Sequence, residues 1–372
     1  YNQYLRDQGY ASDNPWNDFA ASALDDDGEI VSGWFMRNAH RPARVSAEHS
    51  ETAYMTRRAI DFIREAGDEP WSLHLSYIKP HWPYMAPSPY HNIYGIEDVL
   101  PAVRSDEERA DPHPVVKAFM NHGEGVVLSD DSARHNVIPT YMGLVKELDD
   151  HVGHLVAALS ELGRSDDTLI VLTSDHGDYL GDHWLGEKEL FHEPSVRIPL
   201  IVADPSRPAD QSRGSTSRAL VEGIDLIPTF IDVLGGNPNQ PWLEGRSFLD
   251  ILHGRNGDSR EFVVAELDYF ARKARLELNV AADRAKGWMV RSERWKYVFY
   301  EGFEPQLFNL DSDPDELIDR ASDPACKEII DEHRDRLFQW FRCRKSTVTV
   351  DYDYLNTRHE FATKGGFIFG EW

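Results

Sequence analysis

Along the first 48 residues, polar Asp, Asn, Gly and Arg outnumber scattered Trp and Phe, and the pattern predicts loops laid over a surface. From 50 to 66 the period turns helical. Ser50 and Glu51 supply a helix start, Ala53, Ala59, Ile60 and Ile63 one apolar face, and Gly67 a stop. Residues 71–77 then alternate Trp, Leu, Leu and Tyr with Ser and His, which predicts a strand, halted by the prolines of Lys79-Pro80-His81-Trp82-Pro83. Residues 84–133 read as a long irregular excursion, of the kind that is usually functional or disordered.

The clearest helix is predicted over 134–162. Tyr141, Val145, Leu148, Val152, Leu155 and Leu159 recur at spacings of four and three, and Gly163 closes the run. The β-rich run 168–173 predicts a buried parallel strand, and 198–203 another. A short helix follows over 225–234, with Pro228 tolerated in its first turn. This order predicts a layered α/β domain with a mixed, mostly parallel sheet between helices. Beyond 253 the pattern changes to short strands at 262–265, 288–291 and 295–300 and a helix at 329–341, a smaller α+β unit. The division expected is therefore 1–253, 254–345 and a tail, 346–372, whose aromatic residues suit docking at a homo-oligomer interface or on the same chain.

Composition narrows the function. The chain has 372 residues and a formal net charge of −25, which disfavours nucleic acid and anionic membranes as partners. An anionic substrate would then need a local positive centre, either a metal ion or a lysine. Two cysteines, Cys326 and Cys343, make no disulfide framework and suit free thiols in the cytoplasm. No apolar run is long enough to span a bilayer.

The chemistry concentrates in 174–188, SDHGDYLGDHWLGEK. Asp175 and His176 directly follow the 168–173 run, where ligands of α/β sheets collect. Gly177 lets the chain turn there. A carboxylate with an imidazole is half of a divalent metal site, although the same pair equally suits a turn or a helix cap. Asp178, Asp182 and His183 crowd the same loop as supporting or loop-forming groups. Lys188 could reach back to an anionic oxygen or lie on the surface. His81, on its Lys-Pro-His corner, could face a site or pack against Pro and Trp.

Taken together, Ser174-Asp175-His176-Gly177-Asp178 and Leu180-Gly181-Asp182-His183 resemble the metal motif of the sulfatase branch of the alkaline phosphatase superfamily. Glu147-Leu148-Asp149-Asp150-His151, Arg197-Ile198-Pro199-Leu200, Asp225-Leu226-Ile227-Pro228, Gly245-Arg246-Ser247, Trp295-Lys296-Tyr297 and Gln306-Leu307-Phe308-Asn309-Leu310 extend the resemblance in order along nearly the whole chain. Gly33-Trp34-Phe35-Met36-Arg37-Asn38 and Trp184-Leu185-Gly186-Glu187-Lys188 look most like phosphonate monoester hydrolases, which also cleave phosphate diesters. The resemblance implies a metal-dependent hydrolase of small anionic esters, with Asp175 and His176 as metal ligands and His81 and Lys188 at the substrate oxygens or the leaving group. It implies one divalent ion, Mn²⁺ or Zn²⁺ favoured by the imidazole and Ca²⁺ also admissible. An arylsulfatase or a non-catalytic protein of the same fold are the alternatives.

The family's nucleophile is a formylglycine in a Cys/Ser-x-Pro-x-Arg sequence. Neither cysteine has that context, and His40-Arg41-Pro42-Ala43-Arg44 carries the Pro and Arg with a His in place of the nucleophile. The expectation is that the nucleophile and further ligands lie upstream, and that these 372 residues alone turn over negligibly.

Overall fold

The computed structural model describes residues 1–255 and 260–344, and the expected interface tail lies outside the described residues. The chain separates into two compact units. The first comprises 1–169, 176–198 and 272–279; the second comprises 170–175, 199–271 and 280 onward.

The first unit is mainly helical. Its helix Glu51–Ala66 begins where Ser50 accepts a hydrogen bond from the Ala53 N–H at 3.1 Å, and ends at Gly67, whose φ of +57° suits glycine. Thr52, Ala53, Thr56, Ala59 and Ile63 form its buried face. This face packs on the long helix Asp131–Glu161. That helix starts earlier than the apolar spacing indicates, because Asp130 caps it through the Ser132 N–H. Its buried stripe meets the expected one at Leu159, and Tyr141 packs on a buried cluster, but elsewhere the two differ. Val137, Thr140, Gly143, Leu144 and Glu147 turn inward, whereas Val145 is exposed. Small and polar residues occupy the close approaches, with Gly143 lying against the Tyr90 carbonyl. A count of apolar residues alone misplaces such a face.

The excursion 84–133 is more ordered than its composition suggests. It contains the short helices Asp106–Ala110, Pro114–Met120 and Gly123–Leu128. Residues 71–77 alternate between half-buried and exposed, as the pattern requires, but are not part of a strand ladder among the described residues.

In the second unit, Ile170–Thr173 pairs with Leu200–Ala203, and the pairing is antiparallel, from Ile170↔Ala203 to Thr173↔Leu200. Neither strand is fully buried. The expectation of parallel, buried strands here is corrected: a continuous β-branched run favours a strand but does not encode the direction of its neighbour. Every ladder among the described residues is antiparallel. The short helix Leu226–Val233 follows in the same unit.

The remainder is the expected smaller α+β part. Strands Phe262–Asp268, Lys286–Ser292, Trp295–Tyr300 and Gln306–Asn309 form an antiparallel sheet in sequence order. Helix Lys327–Cys343 covers it, burying Val290, Tyr297, Leu307, Cys326 and Leu337 together. Cys326 is buried and Cys343 exposed, both as free thiols. No helix among the described residues is long and apolar enough to cross a membrane.

Candidate active site

Three of the four residues singled out by sequence converge in the first unit. Lys188 Nζ lies 2.5 Å from His81 Nε2, and the His81 and His176 rings are 5.6 Å apart, edge to face. Asp175 is joined to His176 by a peptide bond and closes the strand segment of the second unit.

Backbone carbonyls fix the tautomers of both histidines. His81 Nδ1 is 2.6 Å from the Trp82 carbonyl oxygen, and His176 Nδ1 is 2.7 Å from that of Gly177. A carbonyl only accepts, so each Nδ1 carries a proton, and in the neutral ring the lone pair is then on Nε2. In His81 that lone pair accepts from the Lys188 ammonium. In His176 it provides the nitrogen a divalent metal would take. An imidazole held through Nδ1 by a carbonyl is a donor of the kind divalent metals take.

The loop that carries these groups is held against its own backbone preference. Leu180, His183, Trp184, Glu187 and Leu190 all have φ between +46° and +77°. Left-handed backbone costs an L-residue about 1–2 kcal/mol, so surrounding contacts must stabilise the loop. The Gly177 N–H donates to Ser195 O at 2.7 Å, Tyr179 N–H to Glu187 O at 2.8 Å, and His183 N–H to Val103 O at 2.8 Å. Ser195 Oγ donates to the carbonyl of Lys188 itself. A Cβ on Gly177 would stand 1.9 Å from the Pro194 carbonyl oxygen, so that approach requires glycine.

The same loop carries carboxylates. Tyr84 OH donates to Asp178 Oδ2 at 2.7 Å, and the Leu180 N–H to Asp178 Oδ1 at 3.1 Å. Burial outweighs both hydrogen bonds and pushes the Asp178 carboxyl up to about 6. Glu187 Oε2 lies 3.8 Å from Lys188 Nζ. Asp182 accepts from the Val103 N–H at 2.8 Å, tying the loop to the excursion.

Sequence reasoning missed a second cluster in this loop. His183 Nδ1 lies 2.6 Å from Glu108 Oε1, the His183 and His192 rings stack at 4.0 Å, and the Tyr179 hydroxyl sits 2.9 Å from His192 Nδ1. Glu108, His183 and His192 bring ligand-type atoms within 4.8 Å of one another, a set able to hold a metal ion. Their hydrogen bonds also tie the loop together, while Glu108 Oε2 is buried without a hydrogen-bond partner. His183 Nδ1–H donates to Glu108, and Tyr179 donates to His192 Nδ1 while accepting from the His192 N–H at 3.1 Å. The cluster thus clamps the strained loop. Glu108 sits in an acidic stretch that reads as a solvated helix start, and His192 in no motif, so neither gave a signal.

A family model described as Sulfatase matches residues 2–236, and one described as N-sulphoglucosamine sulphohydrolase, C-terminal, matches residues 181–342. The multifunctional alkaline phosphatase superfamily protein PehA of Trinickia caryophylli is 33% identical over 81% of this chain and 61% of its own length. An arylsulfatase of Clostridium perfringens is 26% identical over 83% of this chain and 61% of its own. The solved phosphonate monoester hydrolase of Silicibacter pomeroyi matches with a TM-score of 0.82 at 26% identity, covering 94% of this chain and 71% of that one. The chain therefore spans about three-fifths of the length of these curated relatives.

Proposed function

The chain belongs to the sulfatase family of the alkaline phosphatase superfamily, and from that premise we propose that the intact protein hydrolyses phosphonate monoesters and phosphate diesters. The observation that carries the reading is the contact between Lys188 Nζ and His81 Nε2, beside His176. An ammonium and an imidazole at hydrogen-bond distance give an acidic protein the local positive centre an anionic ester requires.

In this reading Lys188 holds a non-bridging oxygen of the substrate and stabilises the charge that builds on it. His81, its Nδ1–H committed to Trp82, shares the proton at its Nε2 with Lys188. The pair therefore delivers one proton to the departing alkoxide oxygen, and the Trp82 carbonyl keeps the ring from rotating. Asp175 and His176 are the residues that would hold the divalent metal, Mn²⁺ or Zn²⁺ by donor type. When bound, such an ion neutralises substrate charge and lowers the pKa of a coordinated hydroxyl. The nucleophile of this reading is a formylglycine, and neither cysteine of the 372 residues lies in a Cys-x-Pro-x-Arg sequence. Two free thiols accord with a cytoplasmic location.

The test is a side-by-side assay of the full-length protein on a phosphonate monoester, a phosphate diester and an aryl sulfate. Phosphonate or diester turnover should dominate and vanish in Asp175→Ala. Lys188→Ala should lower kcat/KM by about two to three orders of magnitude. Dominant sulfate turnover would move the substrate class to sulfate esters, which the arylsulfatase relative favours. No turnover on any of the three would leave a binding protein of this fold.

A further inference from the structure

Between strands Phe262–Asp268 and Lys286–Ser292 the chain leaves the antiparallel sheet and returns. Its neck is closed by the Asp268↔Lys286 pair and by the Tyr269 N–H donating to Ala285 O at 2.8 Å. The middle of this excursion, 272–279, belongs by its contacts to the first unit, although its flanks belong to the second. It forms the short helix Lys273–Glu277, whose Ala274 is fully buried. Three polar contacts seat it. The Ala274 N–H donates to His122 Nε2 at 3.1 Å, Asn121 Nδ2 donates to Glu277 Oε1 at 2.6 Å, and the Arg272 guanidinium pairs with Glu189.

Glu189 directly follows Lys188, and its side chain is only 10% exposed. Lys188 thus stands between two acidic residues, Glu187 and Glu189, and Glu187 already lies 3.8 Å from its ammonium. A second, unpartnered carboxylate beside it would compete with an anionic substrate for that ammonium. A buried carboxylate also needs a partner of its own. Arg272 satisfies Glu189, while the Ser195 hydroxyl holds the carbonyl of Lys188. One residue's backbone and its neighbour's side chain are therefore anchored independently of the Lys188–His81 contact.

We propose that the excursion 269–285 is a strap, and that Arg272 is a positioning residue which withholds Glu189 from Lys188 so that the ammonium stays on His81 and the substrate. The proposal rests on the substrate-binding role assigned to Lys188 above. Arg272 touches no reacting atom in it; it acts by electrostatic pairing and by fixing the loop.

Arg272→Ala, Arg272→Lys, the double variant Arg272→Ala/Glu189→Gln and Lys188→Ala, all in the full-length protein, test it, each with kcat, KM and a melting temperature. Arg272→Ala should lower kcat/KM about ten- to a hundredfold, mainly through KM. Arg272→Lys should retain most of the activity, because a lysine keeps the charge. The double variant should recover much of the loss, since a neutral Gln no longer competes for Lys188. A purely structural pair would lose and regain melting temperature in step with activity, so the proposal expects KM to move in Arg272→Ala and return in the double variant beyond what the melting temperatures account for; a double variant as impaired as Arg272→Ala, or a KM that only follows the melting temperature, overturns it. So does an Arg272→Ala enzyme within twofold of the parent while Lys188→Ala is inactive. If Arg272→Ala does not fold, the Arg272→Lys and double variants decide by the same comparison. An active Lys188→Ala enzyme instead removes the role proposed for Lys188, which separates that failure from this one.

Discussion

Glu147, on the inner face of the long helix Asp131–Glu161, is 1% exposed, and one carboxyl oxygen has no hydrogen-bond partner. Burial raises the carboxyl from 4.5 to about 7, against a hydrogen bond from Ser50 and the attraction of Lys79. Because the folded value lies above the unfolded one, the folded state holds an extra proton between pH 4.5 and 7. Stability is therefore lost as pH rises through that window, and the loss is complete above about pH 7. At roughly 1.36 kcal/mol per pH unit the loss is about 3 kcal/mol. Glu147→Gln keeps the shape and an acceptor for the Ser50 hydroxyl but cannot ionise. Urea unfolding at pH 5, 6, 7 and 8 should show the parent losing about 3 kcal/mol more than the variant across the range, with the variant the more stable at pH 8. Lys79, whose ammonium burial lowers to about 8, loses an attractive partner in the variant, which trims that gain. Parallel stability curves for parent and variant would refute the assignment of a buried, proton-holding carboxyl at this position.

Two further perturbations test the frame around the site. Gly177→Ala places a methyl 1.9 Å from the Pro194 carbonyl oxygen, which is backbone and cannot swing aside. It should cost about 1–3 kcal/mol and lower turnover by displacing the loop of Lys188; an unchanged melting temperature and kcat/KM would show that the loop yields freely. In the C-terminal part, Lys296 Nζ meets Glu316 at 2.6 Å with both side chains almost wholly buried. Lys296→Met should destabilise by about 3–5 kcal/mol by removing the ammonium that neutralises a buried carboxylate. A denaturation midpoint equal to the parent's would show that Glu316 finds another partner.

Local rules read well where one residue and its neighbours decide the outcome. Ser50 and Gly67 bracket their helix as capping chemistry requires, because a cap depends on groups three or four residues away. The run 174–188 stood out because strand end, glycine turn and polar residues lie within one short stretch, and the structure sets its His176 and Lys188 beside His81. What needed the tertiary structure depends on contacts between distant segments. His81 meets Lys188 across 107 positions, and nothing in the spacing of either announces it. Glu108 and Arg272 are ordinary surface residues in sequence and become loop anchors only once the excursion and the strap are folded against 176–198. The buried stripe of the long helix followed the fit of Gly143 and Glu147 against their neighbours rather than the apolar period. Strand direction at 170–173 was undetermined for the same reason: side-chain pattern encodes which faces are covered, and the partner's direction is fixed only by the connection that brings it alongside.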